Sequence, residues 1–214
     1  MRDVFSFIWT DRAEVLQLTG EHLLLVVIST AIAVAIGVPV GIVMTRKPAL
    51  SRPILAFANI VQTIPSLALF GFLIPLPVIG GIGARTAIIV LLLYSLLPII
   101  RNTVTGINNV DPAVREAGRG MGMTDAQLLW QVDLPLSIGV IFAGIRVATV
   151  IAVGVATIAA AVGAGGLGMF IFRGVSMLDN RLILAGAIPA ALLALLADWG
   201  LGAMDKWLIR GTKS

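Results

Sequence analysis

The chain has 214 residues, of which 58% are hydrophobic and only 12% charged, and its formal net charge at pH 7 is +4. Soluble domains are about 45–50% apolar and about 25% charged, so this composition excludes a soluble globular protein and predicts an integral membrane protein. Cysteine is absent and His22 is the single histidine, which excludes disulfides, a cysteine nucleophile and a Cys/His metal site.

Five apolar segments predict the membrane spans. A helix needs about 20 apolar residues to cross the hydrocarbon core of a bilayer, which is about 30 Å thick. The segments that are long enough cover residues 22–44, 54–76, 84–103, 136–162 and 182–204. We therefore predict an all-α integral membrane fold, with one transmembrane domain over residues 1–214.

The distribution of Lys and Arg predicts the orientation of the chain. The first and third connections and the C-terminal tail are richer in these residues than the second and fourth connections. Because cytoplasmic loops carry an excess of Lys and Arg, we expect the N-terminus outside and the C-terminus in the cytoplasm. Arg173 and Arg181 in the fourth connection weaken the contrast. The basic net charge is explained in the same way, so no nucleic-acid partner is expected.

The polar segment 111–135, which lies in the third connection, begins with the features of a short helix. Its sequence is DPAVREAGRGMGMTDAQLLWQVDLP. Asp111 followed by proline is typical of a helix start, with the aspartate as N-cap. We predict a helix over residues 112–119, followed by a turn at Gly120 and Gly122, because glycine readily adopts positive φ.

The second half of the segment predicts another short helix. Thr124 and Gln127 have the spacing of a capping box, which favours a helix over residues 125–132. Leu128 and the apolar residues after it would give this helix an exposed apolar face, a feature that usually marks a partner site. Pro135 would begin the next element.

The spacing of this segment resembles a known family signature. Glu116-Ala117-Gly118, three residues, Gly122, nine residues and Val132-Asp133-Leu134-Pro135 closely resemble the EAA motif of ABC-importer permeases. That motif has a second alanine where this chain has Gly118, and isoleucine where it has Val132. The segments VQTIPSLALFGFLIPL, YSLLPIIRNTVTGI and AVGAGGLG extend the resemblance to the permease subunits of glycine betaine/carnitine/choline ABC importers, over about residues 18–205.

The resemblance implies a type I importer fold in a bacterial-type inner membrane. It implies a coupling helix, which is held by a separate ATP-binding subunit and passes on its motion, at Glu116, Ala117, Gly118, Gly122, Leu128, Val132, Leu134 and Pro135. Two copies of that subunit would bind ATP and Mg, and this chain would carry no cofactor. The other implied partners are a second permease, identical or homologous, and an extracytoplasmic substrate-binding protein.

Polar side chains inside the second predicted span suggest a transport path. Asn59, Gln62, Thr63 and Ser66 have the spacing i, i+3, i+4 and i+7, which places them on one face of a helix. Polar groups inside a membrane face a bundle interior or a water-filled path, or else bond neighbouring helices together. Tyr94 is a further candidate because its hydroxyl lies in the third predicted span.

Two charges fall well inside predicted spans, away from the ends of the spans. Arg146 lies eleven residues beyond Pro135, and Asp198 lies in the fifth predicted span. A lone charge at this depth is unfavourable, so we expect an ion pair that holds the two spans together. A role in lining the path is the alternative.

Glycines mark two further places where backbones approach closely. Gly163, Gly165, Gly166 and Gly168 predict either close helix packing or a break in a span near the outer face. The family resemblance places them near the outer end of the transport path, which implies a gate. Gly37 and Gly41 form a GxxxG pair that favours close helix contact, within the chain or in a dimer. His22 lies where the first predicted span meets water and is expected to be solvated or interfacial.

Other classes of protein fit the residues less well. A membrane-embedded enzyme needs a nucleophile with a base, or a set of metal ligands, and the scattered carboxylates supply neither. A scaffold subunit would not need the polar stripe at residues 59–66. Within the transporter class, methionine-type ABC permeases have a similar length and a similar glycine-rich segment, so another small solute is the alternative to a quaternary ammonium compound.

Overall fold

The computed structural model describes residues 2–77 and 79–211, and these residues form ten α-helices with short 3₁₀ and π segments between them. Helix α1 covers Arg2–Thr10 and α2 covers Arg12–Arg46. At 1.5 Å per residue, the 35 residues of α2 span about 52 Å, well beyond the hydrocarbon thickness of a bilayer. This helix therefore starts about ten residues before the predicted span.

The second predicted span is broken into two helices. A 3₁₀ turn at Pro48–Leu50 leads into α3, Ser51–Thr63, which is followed by α4, Ser66–Leu73. The two parts meet at an angle of 103°. Pro65 has no N–H group for the helical ladder, and Ile64 before it is extended, with ψ of 127°. The prediction of one straight helix over residues 54–76 is therefore corrected.

Helices α5, α8 and α10 complete the bundle. Helix α5 covers Ala84–Asn108, α8 covers Leu134–Ala159 with a 3₁₀ turn to Val162, and α10 covers Asn180–Gly211. Four continuous helical stretches of the described chain are long and apolar enough to span a membrane, and the bent α3–α4 pair is a fifth candidate. The main core lies between α2, α4, α5 and α8, around Phe70 and Leu91.

Close contact between α2 and α5 depends on small residues. A Cβ atom on Gly37 would lie 2.8 Å from Ile99, and one on Gly41 would lie 2.6 Å from Thr103. These distances are shorter than a van der Waals contact, so any larger residue would push the helices apart. The GxxxG pair therefore packs two helices of the same chain.

The short helices occupy the two ends of the bundle. Helix α6, Pro112–Gly120, and helix α7, Asp125–Leu128, lie at one end, which we call the Asp133 end. Helix α9, Gly168–Met177, lies at the other, which we call the Gly163 end, where Phe7 of α1 meets Phe170 edge to face at 5.9 Å. The bundle thus separates the predicted coupling segment from the predicted gate by the length of the spans.

Candidate functional site

The first part of the site is the surface segment 111–133 at the Asp133 end. The Asp111 carboxylate accepts a hydrogen bond from the Ala113 N–H group at 2.9 Å, which caps the start of α6. Thr124 and Gln127 form a reciprocal capping box at the start of α7. Gly122 has φ of +83°, a conformation that favours glycine, whereas Gly120 belongs to α6. The two predicted caps and the turn at Gly122 are therefore confirmed, whereas Gly120 is not part of the turn.

The second half of this segment differs from the prediction. Helix α7 does not stop at residue 132 but passes through a π-helical turn, Leu129–Asp133, directly into α8. Pro135 is the second residue of α8 and directly follows the π turn. The surface segment is therefore joined to the long helix without a flexible loop.

The apolar residues of this half are not one exposed face. Leu128 is 2% exposed and packs on Gly118, where an added Cβ would lie 2.7 Å from the Leu128 Cδ2 atom. Trp130 is exposed, and Val132 is half-buried. The prediction of an exposed face that includes Leu128 is therefore wrong, because this leucine ties α7 to α6. Glu116 and Ala117 on α6 remain exposed.

A buried carboxylate connects the surface segment to two spans. Asp133, in the π turn, is 2% exposed. Its Oδ1 atom accepts a hydrogen bond from Arg115 Nε at 2.6 Å, and its Oδ2 atom accepts one from Arg46 Nη2 at 3.2 Å. Arg115 also donates to the carbonyl of Ile107 near the end of α5. One carboxylate thus holds α6, α2 and the start of α8 together, and Arg115 adds α5.

This ion cluster was not among the predicted site residues. Arg46 and Arg115 lie in the first and third connections, where they contribute to the predicted orientation, and Asp133 lies within the segment that resembles the EAA motif. The available signal was Asp133 itself, since a carboxylate beside a long apolar helix needs a partner. The sequence does not show which arginines approach it, because Arg46 lies 87 residues away along the chain.

The predicted polar stripe is divided by the break in the second span. Gln62 Nε2 donates to the Tyr94 carbonyl at 2.9 Å, and the Tyr94 hydroxyl donates to the Ile64 carbonyl at the break. Thr63 is exposed and bonds to its own helix. Ser66 begins α4 and does not share a helical face with the others, so that part of the prediction is corrected.

Asn59 connects the polar contacts between α3 and α5 to the guanidinium of Arg101. Its amide nitrogen donates to the Leu55 carbonyl at 2.7 Å, and its Oδ1 atom accepts a hydrogen bond from Arg101 Nη2 of α5 at 3.1 Å. The α3–α5 contact is therefore polar from Asn59 to the break at Ile64.

Arg146 and Asp198 are in contact. Arg146 Nη2 lies 2.9 Å from both carboxylate oxygens, and Arg146 Nε lies 3.1 Å from Oδ1. The contact joins α8 to α10, which are the two spans expected to meet here. The Gly202 Cα faces the same guanidinium, and an added Cβ would lie 3.1 Å from Arg146 Cζ.

The glycine segment at the Gly163 end forms a sharp turn between α8 and α9. Gly163, Gly165 and Gly166 have φ of +71°, +80° and +79°. The Gly166 N–H group donates to Glu21 Oε2 at 3.0 Å, and a Cβ on Gly168 would lie 1.8 Å from the Thr157 carbonyl oxygen. The turn is thus held against both α2 and the end of α8.

His22 lies beside this turn and not in water. It is fully buried, and its Nε2 atom lies 3.2 Å from the Val153 carbonyl of α8. The prediction of an interfacial histidine is wrong because α2 begins ten residues earlier than expected, which places His22 in the helix interior facing α8.

The structure combines a bundle of apolar helices, a surface segment joined rigidly to it, and polar contacts between α3 and α5 at a broken span. These features are those of a membrane-spanning transport subunit. Residues 37–210 match the family described as "Binding-protein-dependent transport system inner membrane component". The chain belongs to this family and is a permease subunit of an ABC transporter in the inner membrane. ATP is hydrolysed by a separate subunit of such transporters.

Several named proteins are similar to this chain. The osmoprotectant import permease protein OsmW of Salmonella typhimurium is 46% identical over 92% of this chain and 93% of its own length. The glycine betaine/carnitine/choline permease protein OpuCB of Bacillus subtilis is 40% identical over 96% and 94%. A chain of the inward-facing MetNI methionine ABC transporter superposes with a TM-score of 0.80 at 25% identity, over 90% of this chain and 95% of that one.

Proposed function

We propose that this chain is the permease subunit of an ABC importer for small quaternary ammonium osmoprotectants such as glycine betaine, carnitine or choline. The observation that carries the proposal is the similarity to osmoprotectant permeases, at 40–46% identity over more than nine-tenths of both chains. The similarity to a methionine transporter is weaker in sequence, at 25%. Methionine is therefore the alternative substrate that the experiment includes.

The Asp133 end lies in the cytoplasm in this proposal, with the C-terminus, and the N-terminus lies outside. Two ATP-binding subunits, with ATP and Mg, dock on surface segments 111–133 of two permeases. An extracytoplasmic binding protein delivers the substrate at the Gly163 end. The excess of Lys and Arg near the Asp133 end supports this orientation.

The ion cluster at Asp133 supports a mechanical role for the surface segment. Glu116 and Ala117 are exposed for contact with the ATPase, while Leu128 and Asp133 face inward and fix α6 to the bundle. Since α7 continues through the π turn into α8, a displacement of the docked segment turns or tilts α8 directly. Val132, Leu134 and Pro135 lie where the surface segment joins α8. Gly118 and Gly122 determine the conformation of that segment.

The broken span supports a path beside α3 and α5. Irregular backbone at membrane depth is tolerated where it is buried in protein or lines a water-filled cavity. Thr63 and Ser66 lie on either side of the break, and Asn59, Gln62 and Tyr94 fix it against α5. The Arg146–Asp198 pair holds α8 to α10, and the turn at Gly163, Gly165, Gly166 and Gly168 closes the outer end.

The test is uptake into proteoliposomes that contain this permease with its ATPase and binding protein. We expect ATP-dependent uptake of radiolabelled glycine betaine, carnitine or choline, and none when the ATPase carries an inactivated ATP site. Uptake of methionine, with no uptake of the three ammonium compounds, would replace the proposed substrate. Loss of all uptake when the permease is omitted is the matched control.

A further inference from the structure

The exposed residues of α5 lie at its two ends, and all of them except Ala84 are polar or charged. Its exposed residues are Ala84, Arg85, Arg101, Thr105 and Asn108, and within Ala84–Asn108, all of which the structure describes, no large apolar residue is exposed. Helix α2 shows the opposite pattern, with Leu23, Leu24, Val27, Ile32, Ile36 and Val43 exposed. A lipid-facing helix presents apolar side chains along its length, so α2 has the surface of a lipid-facing helix and α5 does not.

The exposed polar residues form a stripe toward the Asp133 end. Arg101, Thr105 and Asn108 have the spacing i, i+4 and i+7, so they follow one face of α5. Arg101 lies six residues before Ile107, whose carbonyl is bonded to Arg115 of the surface segment. At 1.5 Å per residue, Arg101 lies about 9 Å from Ile107 along the axis of α5.

The charge of Arg101 is not neutralised within the chain. Its contact is the neutral Asn59 Oδ1 atom at 3.1 Å, and no carboxylate of the described residues lies within 4.0 Å of its guanidinium. Arg146, in another span, is by contrast paired with both oxygens of Asp198. An exposed guanidinium without a carboxylate partner keeps N–H groups that can donate to water or an anion.

We propose that Arg101 is a carboxylate-binding subsite on the transport path, which favours zwitterionic osmoprotectants over purely cationic ones. The proposal rests on the proposed function and names the substrate class within it. A guanidinium presents a planar fork of donors that matches a carboxylate. Asn59 Oδ1 accepts a hydrogen bond from one of these N–H groups and so orients the guanidinium. The remaining N–H groups are available to a solute. A cation without a carboxylate is repelled at the same place.

Glycine betaine and choline test this subsite because both carry a trimethylammonium group and only glycine betaine carries a carboxylate. In proteoliposomes of the complete transporter, we expect Arg101→Gln to lower glycine betaine uptake about tenfold or more, corresponding to about 1.4 kcal/mol. Choline uptake should stay the same or rise. Arg101→Lys keeps the charge but loses the fork, and its glycine betaine uptake should lie between those of the wild type and Arg101→Gln.

Arg52→Gln is the matched control, since it removes the same charge from an exposed residue at the start of α3. It should leave the ratio of the two uptake rates unchanged. The subsite would be overturned if Arg101→Gln lowered the uptake of both substrates equally, or lowered neither. Failure of the complex to assemble would also overturn it, because that result would show that Arg101 contacts a neighbouring chain. Absence of uptake of both by the wild type would instead overturn the proposed function.

Discussion

Replacing Asp133 by asparagine should weaken the connection between the surface segment and the spans. The amide oxygen can keep one of the two guanidinium bonds, so one hydrogen bond to a charged group is lost, worth about 1.5–3 kcal/mol. The side chains of Arg46 and Arg115 are 36% and 24% exposed, which lets water screen part of the lost attraction. We expect about 2 kcal/mol of destabilisation, or about 4–8 °C in Tm for a chain of this size.

The same variant should uncouple the transporter. With α6 less firmly attached, ATP hydrolysis continues while uptake per ATP falls, by roughly tenfold or more if the full 2 kcal/mol is lost from coupling. The assay is paired measurement of phosphate release and glycine betaine uptake in proteoliposomes, with Tm of the purified complex from intrinsic fluorescence.

The control is Asp179→Asn, at the opposite end of the bundle. Hydrogen bonds from Arg181 hold the pKa of the Asp179 carboxyl below its usual range. The Arg181 side chain is exposed, and asparagine can still accept the Arg181 backbone N–H group, so this variant should change little. Equal Tm and equal uptake per ATP for Asp133→Asn and Asp179→Asn would refute the reasoning.

Three further variants test other parts of the chain. Gly122→Val forces a β-branched residue to φ of +83° and should lower coupled uptake about tenfold or release the ATPase. Gly120→Ala is the control, because an added Cβ there meets no atom within 4 Å, and it should have neither effect. Wild-type coupling in Gly122→Val would contradict the prediction. Asp198→Ala removes the carboxylate that Arg146 contacts and should lower the Tm of the complex. The double variant that exchanges the two residues should restore the Tm. An unchanged Tm in Asp198→Ala would show that the pair is dispensable. Gly165→Ala places a Cβ 2.2 Å from Glu21 Oε2 and should slow uptake without loss of ATPase binding, and unchanged uptake would argue against a role for this turn in gating.

Local features of the surface segment were predictable from the sequence. The Asp111 cap, the Thr124–Gln127 capping box and the positive φ of Gly122 depend on residues at most three positions apart, so short sequence patterns contain the necessary information. The apolar spans were predictable for a similar reason, since hydropathy over about 20 residues decides them. The Arg146–Asp198 contact was accessible because unpaired charges inside spans are rare.

Features that depend on how helices meet were not predictable in the same way. The burial of His22 follows from its position against Val153, which is 131 residues away. The burial of Leu128 follows from the close approach allowed by Gly118, and apolar character alone does not distinguish an inward face from an exposed one. Pro65 was visible in the sequence, but an internal proline also occurs in α5, where Pro98 leaves the helix continuous.

The π turn at Leu129–Asp133 determines rotation as well as distance. Adding or removing one residue of a helix rotates everything before it by about 100° about the helix axis. A one-residue deletion within α7 that leaves the π turn intact would therefore point α6 at a different side of the ATPase, although it shortens the segment by only about 1.5 Å. The nine-residue spacing of the motif specifies the direction in which the surface segment faces.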